Sequence, residues 1–358
     1  MDPISALSTL LHQPDALIEQ LKHLLQSTVE QSAHKALLSD LVQLLSQQSP
    51  DTISLVAPAL LNFLNNYVAN YPDPVIQLAE IFATTLYTEG DIAGACKALR
   101  QLSIDLLPTP SQKAHILLSI TQLYLQLEDY ASADQTLRRC APHVHNTHDR
   151  SFWLKFKGCQ AQVHDYNRNF ITATQCYLVV AQEDEDRSVV TTAIQSGLIT
   201  ALLSPAGPKR NTLLSQITNH PEAKECPLYH VAIKALTPRT LNKDDVTFVA
   251  SFLSPHHLAV SADGVTTVLD SSMIQHNLSV ISIYYESIRI ASLCNAVNVE
   301  SEDVIVDILT RMVRDKRLDA VIDLALGVVV LRKDESVDSR LVGLFGNVNK
   351  ACDLIGTS

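Results

Sequence analysis

Three stretches of the chain share one pattern, and that pattern restricts the fold more than any other feature of the sequence. Gly90-Asp91-Ile92-Ala93-Gly94-Ala95-Cys96-Lys97-Ala98-Leu99 aligns with Glu128-Asp129-Tyr130-Ala131-Ser132-Ala133-Asp134-Gln135-Thr136-Leu137. Both align with Asn167 to Tyr177, with one residue of slack. In each, a small residue (Ala95, Ala133, Ala173) follows an apolar anchor (Ile92, Tyr130, Phe170) by three positions. That spacing puts anchor and alanine on one helical face, and the alanine lets a second helix approach closely. A unit of about 38–40 residues holds one helix pair. Such a pair cannot cover its own apolar stripe, so neighbouring pairs must stack.

This period belongs to solenoids of the tetratricopeptide or HEAT type. The residues before the repeats read as further helices. Leu7, Leu10, Leu11, Ile18, Leu21, Leu24 and Leu25 recur at steps of three and four, and Pro14 and Pro50 stand where helices begin. Asp51 is the expected cap of a helix carrying Leu55, Leu60, Leu61 and Leu64, and Tyr71-Pro72-Asp73-Pro74 reads as a turn. The acidic run from Gln182 to Arg187 reads as a solvated link between helices. Ten glycines in 358 residues and 18% charged side chains fit ordered helix and not disorder. A net charge of −11 disfavours general binding to nucleic acid or acidic membranes, which takes clustered Lys and Arg. No apolar run reaches the roughly 18–20 residues of a membrane span, and Met1-Asp2-Pro3-Ile4 lacks the basic start of a signal peptide. Seven scattered cysteines without a Cys-x-x-Cys suit a reducing compartment, so cytoplasm and nucleus are expected.

From Ser254 to Arg332 the pattern changes. A long apolar-periodic segment runs to Tyr285, then a β-like piece (Ser287–Ile290), a small helix (Ala291–Val297) and a second helix (Glu302–Asp315). Two β-rich pieces, Leu318–Asp323 and Val328–Arg332, close it around a turn at Gly327. Strand, helix, helix, strand, strand is the order of a winged helix. Ser301 stands where it can cap the second helix, whose Val304, Ile305, Ile308, Leu309 and Met312 share a face.

These residues carry a resemblance. Pro255-His256, Ala262-Asp263-Gly264, Leu269-Asp270, Ile274, His276-Asn277-Leu278, Tyr284, Ile322-Asp323 and Gly327-Val328-Val329 resemble a PCI domain. Their arrangement is most similar to the family of fourth subunits of the constitutive-photomorphogenesis (COP) signalosome, the complex that removes the ubiquitin-like modifier of cullins. Leu202-Leu203, Ala206-Gly207, Arg210 and Leu213-Leu214 fit the same family. The resemblance covers the C-terminal half well, and the N-terminal half only in helical pattern. It implies a non-catalytic scaffold without cofactor, assembled with other PCI subunits and with metalloprotease-fold subunits, and acting on cullin–RING ligases. A proteasome-lid PCI subunit is the alternative it leaves open.

A winged helix can also bind DNA, but Glu300, Glu302, Asp303 and Asp307 at the reading end would repel phosphate. His143-Val144-His145, with His148 nearby, imitates a metalloprotease His-x-His, but Phe156 stands where a third ligand is needed. No phosphate loop, Gly-x-Ser-x-Gly or His-Glu-x-x-His occurs. No catalytic, cofactor or metal residue is therefore expected. The expected contacts are with protein: a free strand edge built from Leu318, Val321, Ile322, Asp323, Val328 and Val330, with apolar Leu324 and Leu326 at the turn. Beyond it, Leu341, Leu344, Phe345, Val348 and Ile355 make a helical seam suited to a partner helix. The expected architecture is an all-α solenoid over 1–250, a winged-helix module over 251–334 and a C-terminal bundling helix over 335–358.

Overall fold

The computed structural model describes residues 13–26, 31–145, 149–260 and 266–331, together with Leu7, Leu10 and Thr147. The described chain forms two compact units that divide between Val163 and His164.

The first unit is helical. Its elements are α1 (Pro14–Leu25), α2 (Gln31–Ser46), α3 (Pro50–Leu64), α4 (Pro72–Thr88), α5 (Ile92–Arg100), α6 (Pro110–Gln126), α7 (Tyr130–Val144) and most of α8 (Arg150–Tyr166). Pro14, Pro50, Pro72 and Pro110 each open a helix, where a missing N–H costs nothing. Two local expectations are corrected here. Pro72 and Pro74 lie inside the first turn of α4 and not in a free turn. Ser49, not Asp51, occupies the capping position of α3, without a side-chain cap bond, and Leu55 faces solvent. One continuous core runs from Leu17 through Leu60, Leu78 and Leu117 to Val163.

The repeat has a physical signature at its bends. Gly90, Glu128 and Arg168 all adopt left-handed backbone (φ 87°, 58° and 59°). Each closes the same double hydrogen bond onto the helix before it. The Gly90, Glu128 and Arg168 amides donate to Tyr87, Leu125 and Asp165, and the next amide of each donates to Leu86, Tyr124 and His164. This is the Schellman termination. It removes the slack from the alignment: Asn167 belongs to the end of α8, and Arg168-Asn169-Phe170 steps with Gly90-Asp91-Ile92. Ala95, Ala133 and Ala173 are fully buried, as close packing requires. A side chain in left-handed backbone costs about 1 kcal/mol relative to glycine. Glu128→Gly is therefore expected to raise stability by about 0.5–1 kcal/mol, read as a higher urea midpoint at unchanged slope. A lower midpoint would show that the Glu128 side chain, and not the bend, carries the site.

The second unit begins at the end of α8. It continues through α9 (Phe170–Glu183), α10 (Arg187–Leu203), α11 (Pro208–Thr218), α12 (Tyr229–Leu236), α13 (Lys243–Ala250) and α14 (Val268–Tyr284). The acidic run supplies the cap of α10, Asp186 accepting from the Ser188 amide. Hydroxyls of Thr174 and Thr200 meet at 2.9 Å in the α9–α10 interface. The long apolar α14 is tied in by polar bonds. Ser272 donates to the carbonyls of Leu202 and Ser204, and the Asn277 amide satisfies both backbone groups of Leu241. After α14 come β1 (Ser287–Arg289), α15 (Ile290–Val297), α16 (Glu302–Arg314), β2 (Ala320–Asp323) and β3 (Val328–Leu331). Among the described residues, no helix is long and apolar enough to cross a membrane.

Candidate protein-interaction site

The winged helix is built from a helix face and a small sheet around one core. Ile305, Ile308, Leu309 and Met312 of α16 are buried against Ile274, Leu278 and Ile281 of α14 and against Leu293 of α15. Val304 packs at the margin of that cluster. Ser301 holds the cap position of α16, but its side chain makes no cap bond, so Glu302 and Asp303 are left to complement the helix dipole.

The sheet corrects one expectation, that both strands of the wing offer an edge. It has three strands in the order β1-β3-β2, all antiparallel. Val328–Leu331 is thus the central strand, hydrogen-bonded on both sides, and offers no edge. The free edge beside the wing belongs to β2. The Leu331 amide bonds to Glu286 and the Ile290 amide to Gly327. By antiparallel alternation, Ala320 and Ile322 then direct their amides away from β3, toward the open edge.

Side-chain alternation sorts the expected contact residues. Leu318 is buried in the core, and Ile322, Asp323 and Val328 are half-buried. Val321 and Val330 stand opposite one another on the outward face, and both are exposed. At the wing tip, Asp323 accepts hydrogen bonds from the amides of Ala325 and Leu326, and Gly327 takes the left-handed conformation (φ 64°). That tight tip holds Leu324 and Leu326 out, 68% and 75% exposed. Ile283, Tyr284 and Tyr285, just before β1, are exposed as well. Sequence reading missed them, because they continue the apolar rhythm of a helix whose earlier turns are buried. Leu341, Leu344, Phe345, Val348 and Ile355 lie outside the described residues, as do Ala262, Asp263 and Gly264.

Elsewhere, His143 lies in the last turn of α7 and His145 caps its end, while His148 is outside the described residues. Among the described residues, one group of side chains is arranged so that it could hold a metal: Asp165, His256 and His257. Two buried groups of the second unit carry unusual charge. Arg210 in α11 is 1% exposed, its three guanidinium nitrogens lack any hydrogen-bond partner among the described residues, and burial lowers its pKa to about 10. His276 in α14 is lowered to about 4 by burial, with the nearby Arg210 charge adding to it and a bond to the Arg239 carbonyl opposing it.

The sequence matches two family models: that described as PSMD12/CSN4, N-terminal, over residues 4–186, and the PCI domain over residues 244–333. Among curated relatives, the COP9 signalosome complex subunit 4 of Emericella nidulans is 29% identical over 336 residues, covering 91% of this chain and 82% of that protein. The Arabidopsis thaliana protein of the same name is 24% identical over 364 residues, covering 97% and 91%. That of Dictyostelium discoideum is 29% identical over 218 residues, covering 60% and 54%. With the first of these family models spanning just over half its length, and a winged helix of the expected order at the other end, the chain belongs to the PSMD12/CSN4 family and carries a PCI domain.

Proposed function

We propose that this chain is a non-catalytic scaffold subunit of a signalosome, holding neighbouring subunits in place while a separate metalloprotease subunit removes the modifier from cullins. The observation that carries the reading is the open β2 edge flanked by exposed Val321, Val330, Leu324 and Leu326. Backbone groups on such an edge are satisfied when a neighbour adds a strand, and the apolar flank gives that pairing its affinity. The names borne by the relatives favour a signalosome over a proteasome lid. The partners proposed are other PCI subunits, metalloprotease-fold subunits and cullin–RING ligases, met in cytoplasm and nucleus.

Affinity purification of the tagged chain from its own cells is expected to recover signalosome subunits and cullins. Recovery of 26S particles in their place would overturn the assignment. Val321→Lys with Leu326→Lys changes only exposed side chains, so the variant is expected to melt within about 1 °C of the parent. It should nevertheless lose at least about tenfold in recovered PCI subunits, since two charges must then be desolvated at the contact. Undiminished recovery would remove the edge from the interface.

A further inference from the structure

Asp165 lies in the last turn of α8, and His256 and His257 lie in the loop after α13, some 92 residues further along the chain. His257 Nε2 is 2.8 Å from Asp165 Oδ1, and His256 Nε2 is 3.8 Å from Oδ2. The two imidazole centroids are 3.7 Å apart. One donor atom from each of the three side chains falls within 4.8 Å of the others. The odd atom is His256 Nε2. It is buried, it faces a carboxylate oxygen from beyond hydrogen-bonding range, and it has no hydrogen-bond partner among the described residues. A separation of this size suits two atoms that each bind the same ion at about 2.0–2.2 Å.

The surroundings hold these groups in place. The Arg168 amide donates to the Asp165 carbonyl, and the Arg168 guanidinium donates to the Val260 carbonyl, tying the helix end to the loop. The His257 amide donates to the Ser254 carbonyl, the His256 ring packs on Tyr166 and the His257 ring on Phe170. His257 Nδ1 accepts from the Ser254 amide at 3.3 Å, which places the ring proton on Nε2 when no ion is bound. Ligation through Nε2 replaces the bond to Asp165 and moves the proton to Nδ1, where it faces the Ser254 amide donor, so the loop at Ser254 must turn aside; that cost is small beside the free energy of metal ligation.

We propose that Asp165, His256 and His257 form a divalent transition-metal site that clamps the end of α8 to the loop leading into α14. Two imidazoles and one carboxylate select a zinc-class ion over magnesium or calcium, which take oxygen ligands. Three protein ligands leave one position of a tetrahedral ion for water. No local motif spacing marks this set, which joins adjacent histidines to a carboxylate in another element.

The test uses the full chain, stripped with a chelator and titrated with zinc chloride by calorimetry. One equivalent should bind with micromolar or tighter affinity. Zinc at about 100-fold over Kd should raise Tm by about 5 °C, and magnesium should not. His256→Ala, checked for folding by its metal-free melt, should weaken zinc at least about tenfold. Cobalt(II) should give the visible bands of a tetrahedral site in the parent and not in that variant. His143→Gln with His145→Gln should bind as the parent does. Absence of zinc binding, parent-like affinity in His256→Ala, or loss of binding in the His143/His145 variant would each overturn the proposal.

Discussion

Replacing Arg210 with methionine is expected to make the protein more stable, by about 1–4 kcal/mol. The guanidinium sits fully inside the second unit without a hydrogen-bond partner among the described residues. An ion taken out of water and left uncompensated costs several kcal/mol, and a flexible apolar side chain of similar length fills the same volume without that cost. Methionine is chosen over alanine because a cavity would mask the gain. Chemical unfolding decides the matter through its sign. A loss of about 3 kcal/mol or more would mean that an acidic group holds Arg210, because breaking a buried pair is strongly destabilising.

The second large effect is a loss of stability in acid that traces to His276. Its folded pKa of about 4 lies below the ordinary histidine value of 6.5. Between those values the unfolded chain binds a proton that the folded chain refuses, so stability is complete above about pH 6.5 and falls as pH drops toward 4. The full loss is about 3 kcal/mol, the gap between 6.5 and about 4 at 1.36 kcal/mol per pH unit. His276→Gln keeps a donor for the Arg239 carbonyl and removes the titration. Its unfolding free energy should therefore be flatter over that window than the parent's. Equal slopes would assign the acid limb to other groups. Arg210→Met should shrink the same slope, since the Arg210 charge is part of what lowers His276, and the two substitutions should not add.

Much of this architecture could be read from the residues because it rests on periodicity. Ala95, Ala133 and Ala173 announced the stacked pairs, Ile305 to Met312 announced the buried face of α16, and Gly327 announced the turn of the wing. The features that escaped share a cause: nothing local encodes them. Glu128, Arg168 and Lys316 take left-handed backbone without glycine, so no residue type marks those helix ends. The strand at Ser287–Arg289 was expected, but its pairing with β3, across two intervening helices, was not. Arg210 carries a charge that composition would place at the surface. His256 and His257 meet Asp165 only once the chain has returned over 92 positions. The proposed contact surface was half legible for the same reason. The apolar tip at Leu324 and Leu326 could be named, whereas the strand presenting an edge depended on a sheet order that no stretch of sequence states.

The sheet order β1-β3-β2 also bears on how such a chain is made. Of the three described strands, the last to emerge from the ribosome is the one in the middle, and both ladders wait for it. Until Leu331 has cleared the exit tunnel, the sheet that carries the proposed edge is unfinished. Translation that stops short of β3 leaves β1 and β2 without the strand that joins them, so the edge proposed for a neighbour is not yet built.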